Sequence, residues 1–348
     1  MPTNPVVLTA AVLIIFSWLR FAQDLVVPFL LSLFLAVILA GPMGWMQKRG
    51  WAAPLAIGLI FLGVVILGLM MAAILGGSVH AFTEKLPEYQ THLRELAGGL
   101  LARLSALGLD VSHSRLAEVV DPGSVMTFAN GLIAGIGSAL SHAFLILFTV
   151  FFMLTEAWSL PEKVAAIRSE RGRQVTARLA EIVESTKQYT SIKALMSAVT
   201  GLLIWAGSAL IGLDFAVLWG FVAFLLNFIP TIGSIIAAVP ALLLALVQLG
   251  PGAVVAVALL YGVVNMLIGN ILEPRYMGQR VGLSTLVVFL SMVFWGWLLG
   301  PVGMLLSVPL TMVGKFAAQS RESTRWVAVI LGPEVSVEEQ EGRRKKSP

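Results

Sequence analysis

The chain alternates long apolar runs with short polar intervals. The apolar runs lie at residues 5–22, 25–46, 52–79, 128–155, 195–213, 215–249, 253–272 and 283–314. A helix needs about 20 apolar residues to cross a bilayer, and several runs reach that length. Each run is continuous, whereas a membrane β-barrel shows short segments of alternating polarity. The pattern therefore predicts an all-α, polytopic integral membrane protein with about seven or eight membrane segments.

The stretch from Ala194 to Leu272 is the clearest evidence for this class. Its 79 residues carry a single formal charge, Asp214, and the sequence Glu273-Pro274-Arg275 follows directly. A soluble domain does not bury so long an uncharged stretch, but helices in lipid do, because they satisfy every backbone group internally. Composition agrees, since 58% of the residues are hydrophobic and only 12% are charged.

The distribution of Lys and Arg predicts the orientation in the membrane. Residues 47–51, 156–193, 273–282 and the tail carry 18 of the 23 basic residues. Cytoplasmic loops carry an excess of Lys and Arg, so we expect these segments and both termini inside. The predicted regions are three N-terminal membrane helices (1–79), an outer amphipathic helical interval (80–127), a fourth membrane helix (128–155), cytoplasmic amphipathic helices (156–193), a C-terminal transport block (194–314) and a cytoplasmic tail (315–348).

Two apolar runs have lengths that do not fit this topology as simple crossings. Both 215–249 and 283–314 must leave and return on one side, yet each is short for two full crossings. The first is interrupted at Asn227–Ser234 and the second at Gly300–Gly303, where Pro and Gly break helices. We predict two broken or re-entrant hairpins. Interrupted hydrophobic segments of this kind point to a transport site.

Polar or helix-breaking residues inside these segments are the candidate site residues, because polar groups are costly in a membrane. The candidates for the solute pathway are Asn227, Pro230, Thr231, Gly233, Ser234, Asn265 and Asn270. The candidates for a gate are Glu273, Pro274, Arg275, Gly300, Pro301 and Gly303. A structural interpretation stays open for each, with amides joining helices and Glu273 pairing with Arg275. Pro274 is expected to end its helix.

The sequence shows no motif for catalysis or nucleotide binding. Gly314-Lys315 is followed by Phe316, not Ser or Thr, and lacks the upstream glycine of a phosphate-binding loop. Gly137-Ser138 and His142 are read as helix packing, because no third group orients a nucleophile. We therefore expect neither an enzyme nor a cofactor, a metal or a nucleic-acid partner.

Three motifs carry a family resemblance. They are Asn227-Phe-Ile-Pro-Thr-Ile-Gly-Ser234 with Pro240, then Gly269-Asn270-Ile-Leu-Glu273-Pro274-Arg275, then Gly300-Pro-Val-Gly303 with Ser307-Val-Pro309-Leu310. Over nearly its whole length the chain resembles the autoinducer-2 exporter family, and the branch named for autoinducer-2 transport in particular. The resemblance implies a multi-pass protein of the bacterial inner membrane that exports a small polar solute, with autoinducer-2, a quorum-sensing signal, as the named substrate. It also implies self-association, with a homopentamer as the specific expectation.

Two other functions stay open beside solute export. Some members of the family are described as sodium/proton antiporters, which need a buried carboxylate. With Asp214 in a predicted outer link, the transport block offers only Glu273 for that role. A membrane scaffold without a transported solute is the second alternative, with the amphipathic intervals as docking surfaces. Many members carry an acidic residue directly before the Gly269-Asn270 pair, where this chain has Ile268. Amides such as Asn227 suit a small, uncharged, hydroxylated solute.

Single-cysteine labelling tests the predicted topology, because the native chain contains no Cys. We expect a cysteine at Asp110, in the outer interval, to react with a membrane-impermeant thiol reagent in intact cells. A cysteine in the interval 156–193 should react only after lysis. Labelling of position 110 that also requires lysis would overturn the orientation.

Overall fold

The computed structural model describes residues 5–106, 142–157, 170–230, 232–277, 282–319 and 322–332. These residues are almost entirely helical and include no strand. The helices are α1 (Pro5–Phe21), α2 (Gln23–Lys48), α3 (Ala53–Ala106), α4 (His142–Ala157), α5 (Glu170–Ile211), α6 (Ala216–Leu226), α7 (Ile232–Leu249), α8 (Pro251–Asn265), a π-helix (Met266–Leu272), α9 (Glu273–Met277), α10 (Thr285–Gln319), a short 3-10 helix (Glu322–Thr324) and α11 (Arg325–Ile330).

The predicted class is confirmed. In the part of the chain that the structure describes, six helices are long and apolar enough to cross a membrane: Gln23–Lys48, Ala53–Lys85, Val183–Ile211, Ile232–Leu249, Pro251–Tyr276 and Thr285–Gln319. The shorter helices α4 and α6 are also apolar. The protein is therefore a polytopic helical membrane protein.

Two helices extend well beyond their apolar runs. α3 continues past residue 79 into the predicted outer interval and passes through Pro87. α5 begins in the predicted cytoplasmic interval and enters the transport block without a break. Its sequence contains no proline to interrupt the backbone hydrogen bonds. The rest of the outer interval, beyond residue 106, and the segment 158–169 lie outside the described residues.

The chain forms two compact units. The terminal unit comprises Met1–Pro42, Met153–Ala194 and Pro274–Pro348, and the central unit comprises Met43–Phe152 and Leu195–Glu273. In the terminal unit, the ring of Phe16 on α1 meets that of Phe294 on α10 edge to face, with centroids 5.1 Å apart. A buried cluster beside α10 completes this core: Tyr189, Leu283, Val308 and Met312.

The first predicted hairpin is present in the central unit. α6 has 11 residues, so it rises about 16 Å, roughly half the thickness of the hydrocarbon layer. α7 then runs back, and Gln248 near its end accepts a hydrogen bond from the backbone N–H of Asp214 at 2.9 Å. Because Asp214 directly precedes α6, the two ends of the 215–249 segment meet. The segment therefore begins and ends at the same place in the central unit.

The turn of this hairpin depends on Gly233. The residue is buried in the first turn of α7, and a Cβ atom there would overlap the carbonyl oxygen of Leu226 at the end of α6. The Cβ of Ile229 would lie 3.1 Å away. Only glycine permits so close an approach of the two helix ends.

The second predicted hairpin lies within α10, in the terminal unit. Gly300 interrupts this helix with φ 68° and ψ −155°, a conformation that glycine adopts readily. Trp295 Nε1 donates a hydrogen bond to Thr311 Oγ1 at 3.0 Å. In a straight helix these residues would be about 24 Å apart along the axis, so the chain folds back at Gly300.

The prediction that Pro274 ends its helix is wrong. α8, the π-helix and α9 follow one another without a break. A proline in an α-helix removes a hydrogen bond, and its ring clashes with the carbonyl four residues earlier. Here the N–H of Glu273 donates to the carbonyl of Ile268, five residues back. This wider turn gives the ring of Pro274 room, so the helix continues.

Substitution of two glycines by alanine tests the first hairpin. Gly233→Ala should lower the melting temperature in detergent by on the order of 5 °C, because overpacking costs about 1–3 kcal/mol. Gly262→Ala is the matched control, since a Cβ at that exposed helical position meets nothing within 4 Å. We expect the control to be neutral or slightly stabilised. A Gly233→Ala protein as stable as the control would contradict the hairpin geometry.

Candidate functional site

The turn of the first hairpin, at residues 227–230 after α6, forms the centre of the candidate site. Asn227 follows α6 and is buried, and its amide donates a hydrogen bond to Ser197 Oγ on α5 at 3.0 Å. Ser197 is completely buried. Pro230 and Ser234 are half-buried beside the buried Gly233. Thr231, another pathway candidate, lies outside the described residues.

Close packing of α5 and α6 brings Asn227 to Ser197. The two helices run antiparallel, and a Cβ at Gly220 on α6 would lie 2.7 Å from the carbonyl oxygen of Gly201 on α5. Small residues let helix backbones approach closely in a membrane. The contact between the glycines therefore fixes the depth at which the amide of Asn227 meets α5.

Three buried hydroxyl residues follow one face of α5. We call Ser197, Thr200 and Ser208 the α5 hydroxyl stripe; all three are buried, and their spacing matches a helix face. In the part of the chain that the structure describes, the hydroxyls of Thr200 and Ser208 have no hydrogen-bond partner. A buried polar group without a partner costs about 1–3 kcal/mol. The hydroxyls of Thr200 and Ser208 therefore have the capacity to hydrogen-bond another polar group.

Related polar groups lie on neighbouring parts of the fold. Tyr261 on α8 is buried, and its hydroxyl also lacks a partner among the described residues. In the terminal unit, the N-terminal part of α5 carries the buried Thr190 and Lys193.

Asn265 and Asn270 have a different setting from Asn227. Both are exposed on the surface of the single chain, at the end of α8 and in the π-helix. Exposed apolar side chains such as Val263 and Met266 surround them. Their assignment to the solute pathway stays a prediction.

The gate candidates lie in separate parts of the fold. Glu273 is half-buried, while Pro274 and Arg275 are exposed at the start of α9. Gly303 is buried after the bend at Gly300. A Cβ at Gly303 would overlap the carbonyl oxygen of Trp295, and Pro301 is exposed. The close approach at Gly303 makes the second hairpin tight. The role of all six candidates as a gate stays a prediction.

The structure adds a polar cluster that was not among the predicted site residues. Asp214 Oδ2 accepts from Lys85 Nζ at 2.6 Å and from the hydroxyl of Tyr89 at 2.8 Å. The backbone carbonyl of Asp214 accepts from Trp219 Nε1 at 3.0 Å. Gln248 Nε2 donates to the carbonyl of Gly212 at 3.1 Å. The sequence signal was the isolation of Asp214 as the one charge in its apolar stretch.

The pKa shifts in this cluster favour a charged Asp214 carboxylate and a charged Lys85 ammonium at neutral pH, with a neutral Tyr89 phenol. Partial burial by itself would raise the pKa of Asp214, but hydrogen bonds from Lys85 and Tyr89 outweigh burial and lower the pKa below its ordinary value of 3.8. Burial, together with the bond to Asp214, raises the pKa of Tyr89. The stabilisation from the lowered pKa is present above the ordinary value and is lost as the pH falls through the lowered one.

A polytopic helical membrane protein with interrupted hairpins and a buried polar stripe has the architecture of a transporter. The chain matches the AI-2E family transporter model over residues 7–321. The chain therefore belongs to the AI-2E family of transporters.

Its curated relatives agree with this assignment. The chain is 40% identical to the AI-2 transport protein TqsA of Escherichia coli over 94% of each chain. It is 38% identical to YhhT of the same organism, provisionally named a transport protein, over 93% of each. A provisionally named transport protein of Haemophilus influenzae is also 38% identical, over 93% of this chain and 94% of its own length.

Proposed function

We propose that the protein exports a small, uncharged, hydroxylated solute, autoinducer-2 or a close analogue, across the bacterial inner membrane. The observation that carries this proposal is the α5 hydroxyl stripe beside the buried Asn227. The name of the relative TqsA, AI-2 transport protein, supports the choice of solute. Hydroxyl and amide groups donate and accept hydrogen bonds without charge, so they match a solute with several hydroxyl groups.

The stripe would line about half of a path across the hydrocarbon layer. Ser197, beside the turn of the first hairpin, and Ser208 are about 16 Å apart along α5. Thr200 lies between them, one turn from Ser197. A series of neutral sites binds weakly at each step, which allows a solute to leave as well as to enter.

Neutral chemistry also distinguishes this proposal from cation/proton antiport. Ile268, which precedes the Gly269-Asn270 pair, is buried in the π-helix as an apolar residue. Among the described residues of the central unit, the buried polar side chains are Ser197, Thr200, Ser208 and Asn227, together with the hydroxyl-bearing Tyr89 and Tyr261, and none of them is a carboxylate. The half-buried Glu273 is the carboxylate that an antiport mechanism would use.

The orientation and the assembly belong to the same proposal. We infer that both termini are cytoplasmic, which puts the Asp214 cluster at the outer side and Glu273 at the inner side. We also infer that the protein self-associates, with a homopentamer as the specific expectation. The exposed amides of Asn265 and Asn270 support self-association, because lipid tails offer them no hydrogen-bond partner.

Flux measurements in proteoliposomes test the proposed function. The wild-type protein should move labelled autoinducer-2 faster than empty liposomes do. Thr200→Val should lower this flux about threefold to tenfold, the effect of about one hydrogen bond. Its melting temperature should not fall, because the substitution removes a hydroxyl that has no partner in the described part of the chain.

The matched control is Thr149→Val on α4, where the hydroxyl already bonds to the carbonyl of Leu145 at 2.7 Å. This variant should transport at the wild-type rate. Sodium and pH dyes in the same vesicles measure antiport directly. Cation-dependent proton movement without autoinducer-2 flux would contradict the proposal and indicate cation/proton antiport. Absence of both fluxes would favour a membrane scaffold without a transported solute.

A further inference from the structure

Three separate elements of the central unit meet at Asp214. α3 contributes Lys85 and Tyr89, whose side chains both contact the carboxylate. The end of α7 contributes Gln248, which bonds to the backbone on both sides of Leu213. Asp214 itself lies in the short link between α5 and α6. One residue therefore ties α3 and the hairpin end to α5.

The link carries backbone strain at the residue after Asp214. Phe215 adopts φ 58° and ψ 35°, a left-handed conformation that residues with a Cβ rarely adopt. Trp219 holds it by donating to the carbonyl of Asp214. Strain of this kind persists where the surroundings enforce it, and it is concentrated at functional and switching segments.

Aromatic rings surround the same point. The ring of Phe82 on α3 meets that of Phe215 edge to face, with centroids 5.5 Å apart, and that of Trp219 at 6.4 Å. Lys85 Nζ lies 5.9 Å from the ring of Phe215. Like the hydrogen bonds to Asp214, these ring contacts join α3 to the link and to α6. A movement of α3 away from the link would break both kinds of contact.

The contacts are reversible in character. The side chain of Lys85 is 49% exposed and that of Asp214 is 29% exposed. Water can therefore solvate both charges once they separate, so such a pair costs little to break. A permanent structural tie would be expected to exclude water.

The cluster also lies at one end of the α5 hydroxyl stripe. The N–H of Leu213, next to Asp214, donates to the carbonyl of Ser208 at 2.9 Å. Asn227, at the opposite end of α6, lies beside Ser197. The stripe thus runs from the hairpin turn to the Asp214 cluster.

We propose that Asp214, Lys85, Tyr89 and Gln248 form a latch that closes the outer end of the solute path and opens in each transport cycle. This inference rests on the proposed function. Opening separates α3 from the α5–α6 link, relaxes the backbone at Phe215 and exposes the stripe near Ser208. Closing restores the contacts to Asp214.

Reversible cross-linking tests the latch, since the native chain has no Cys. Lys85→Cys and Asp214→Cys are combined, and a short bis-methanethiosulfonate reagent joins the two thiols in proteoliposomes. Flux of labelled autoinducer-2 should fall in proportion to the cross-linked fraction and return after reduction. The matched control joins His80→Cys to Glu84→Cys, an exposed pair one turn apart on α3. The same reagent should leave flux through the control unchanged.

The outcomes distinguish a failure of the proposed function from a failure of the proposed latch. Absence of flux through the wild-type protein contradicts the proposed function. Flux that is present before cross-linking and unchanged after complete cross-linking of positions 85 and 214 contradicts the latch alone, because the cluster would then be a static tie.

A second measurement does not depend on transport. In a Thr200→Cys background, the rate of modification by an impermeant thiol reagent added outside reports how often the path opens. Lys85→Ala should increase this rate severalfold, whereas His80→Ala, five residues earlier on α3, should not. Equal rates in the two variants would overturn the proposal.

Discussion

The need to satisfy backbone hydrogen bonds inside the membrane governs this structure. α6 ends after 11 residues, about half the distance across the hydrocarbon layer, so we infer that the turn at residues 227–230 lies at membrane depth. Irregular backbone is tolerated there only where protein or water surrounds it. The antiparallel contact with α5 supplies protein on one side, and Asn227 joins the turn to Ser197. The rest of the candidate site follows from this requirement.

The same helix pair connects the turn to the Asp214 cluster. α5 carries Ser197, Thr200 and Ser208 on one buried face and then leads directly into the link that holds Asp214. α7 starts at the turn and ends at Gln248, which contacts that link. A movement of the link would therefore act on both ends of the hairpin. This connection explains why a solute path and a latch would be built from adjacent elements.

The sequence predicted the membrane class, both hairpins and the helix break that begins at Asn227, because lipid imposes long apolar runs and makes breaks conspicuous. It did not predict the partners of Asp214, since Lys85 is 129 residues away in the chain and only tertiary structure brings the two together. It also misjudged Pro274, because a π-helix cannot be recognised from local propensity. The hydroxyl stripe was missed because Ser and Thr in apolar helices commonly bond to their own backbone.

We expect the turn of the first hairpin to face a polar path and not lipid. Two neighbouring single-cysteine variants on α7 test it: Ser234→Cys at a half-buried position and Ile235→Cys at an exposed apolar one. A small hydrophilic thiol reagent reacts with the thiolate, which forms in water and not in lipid. In membranes, Ser234→Cys should react faster than Ile235→Cys. Excess autoinducer-2 should slow the reaction of Ser234→Cys. Faster reaction of Ile235→Cys, with Ser234→Cys inert, would contradict this expectation.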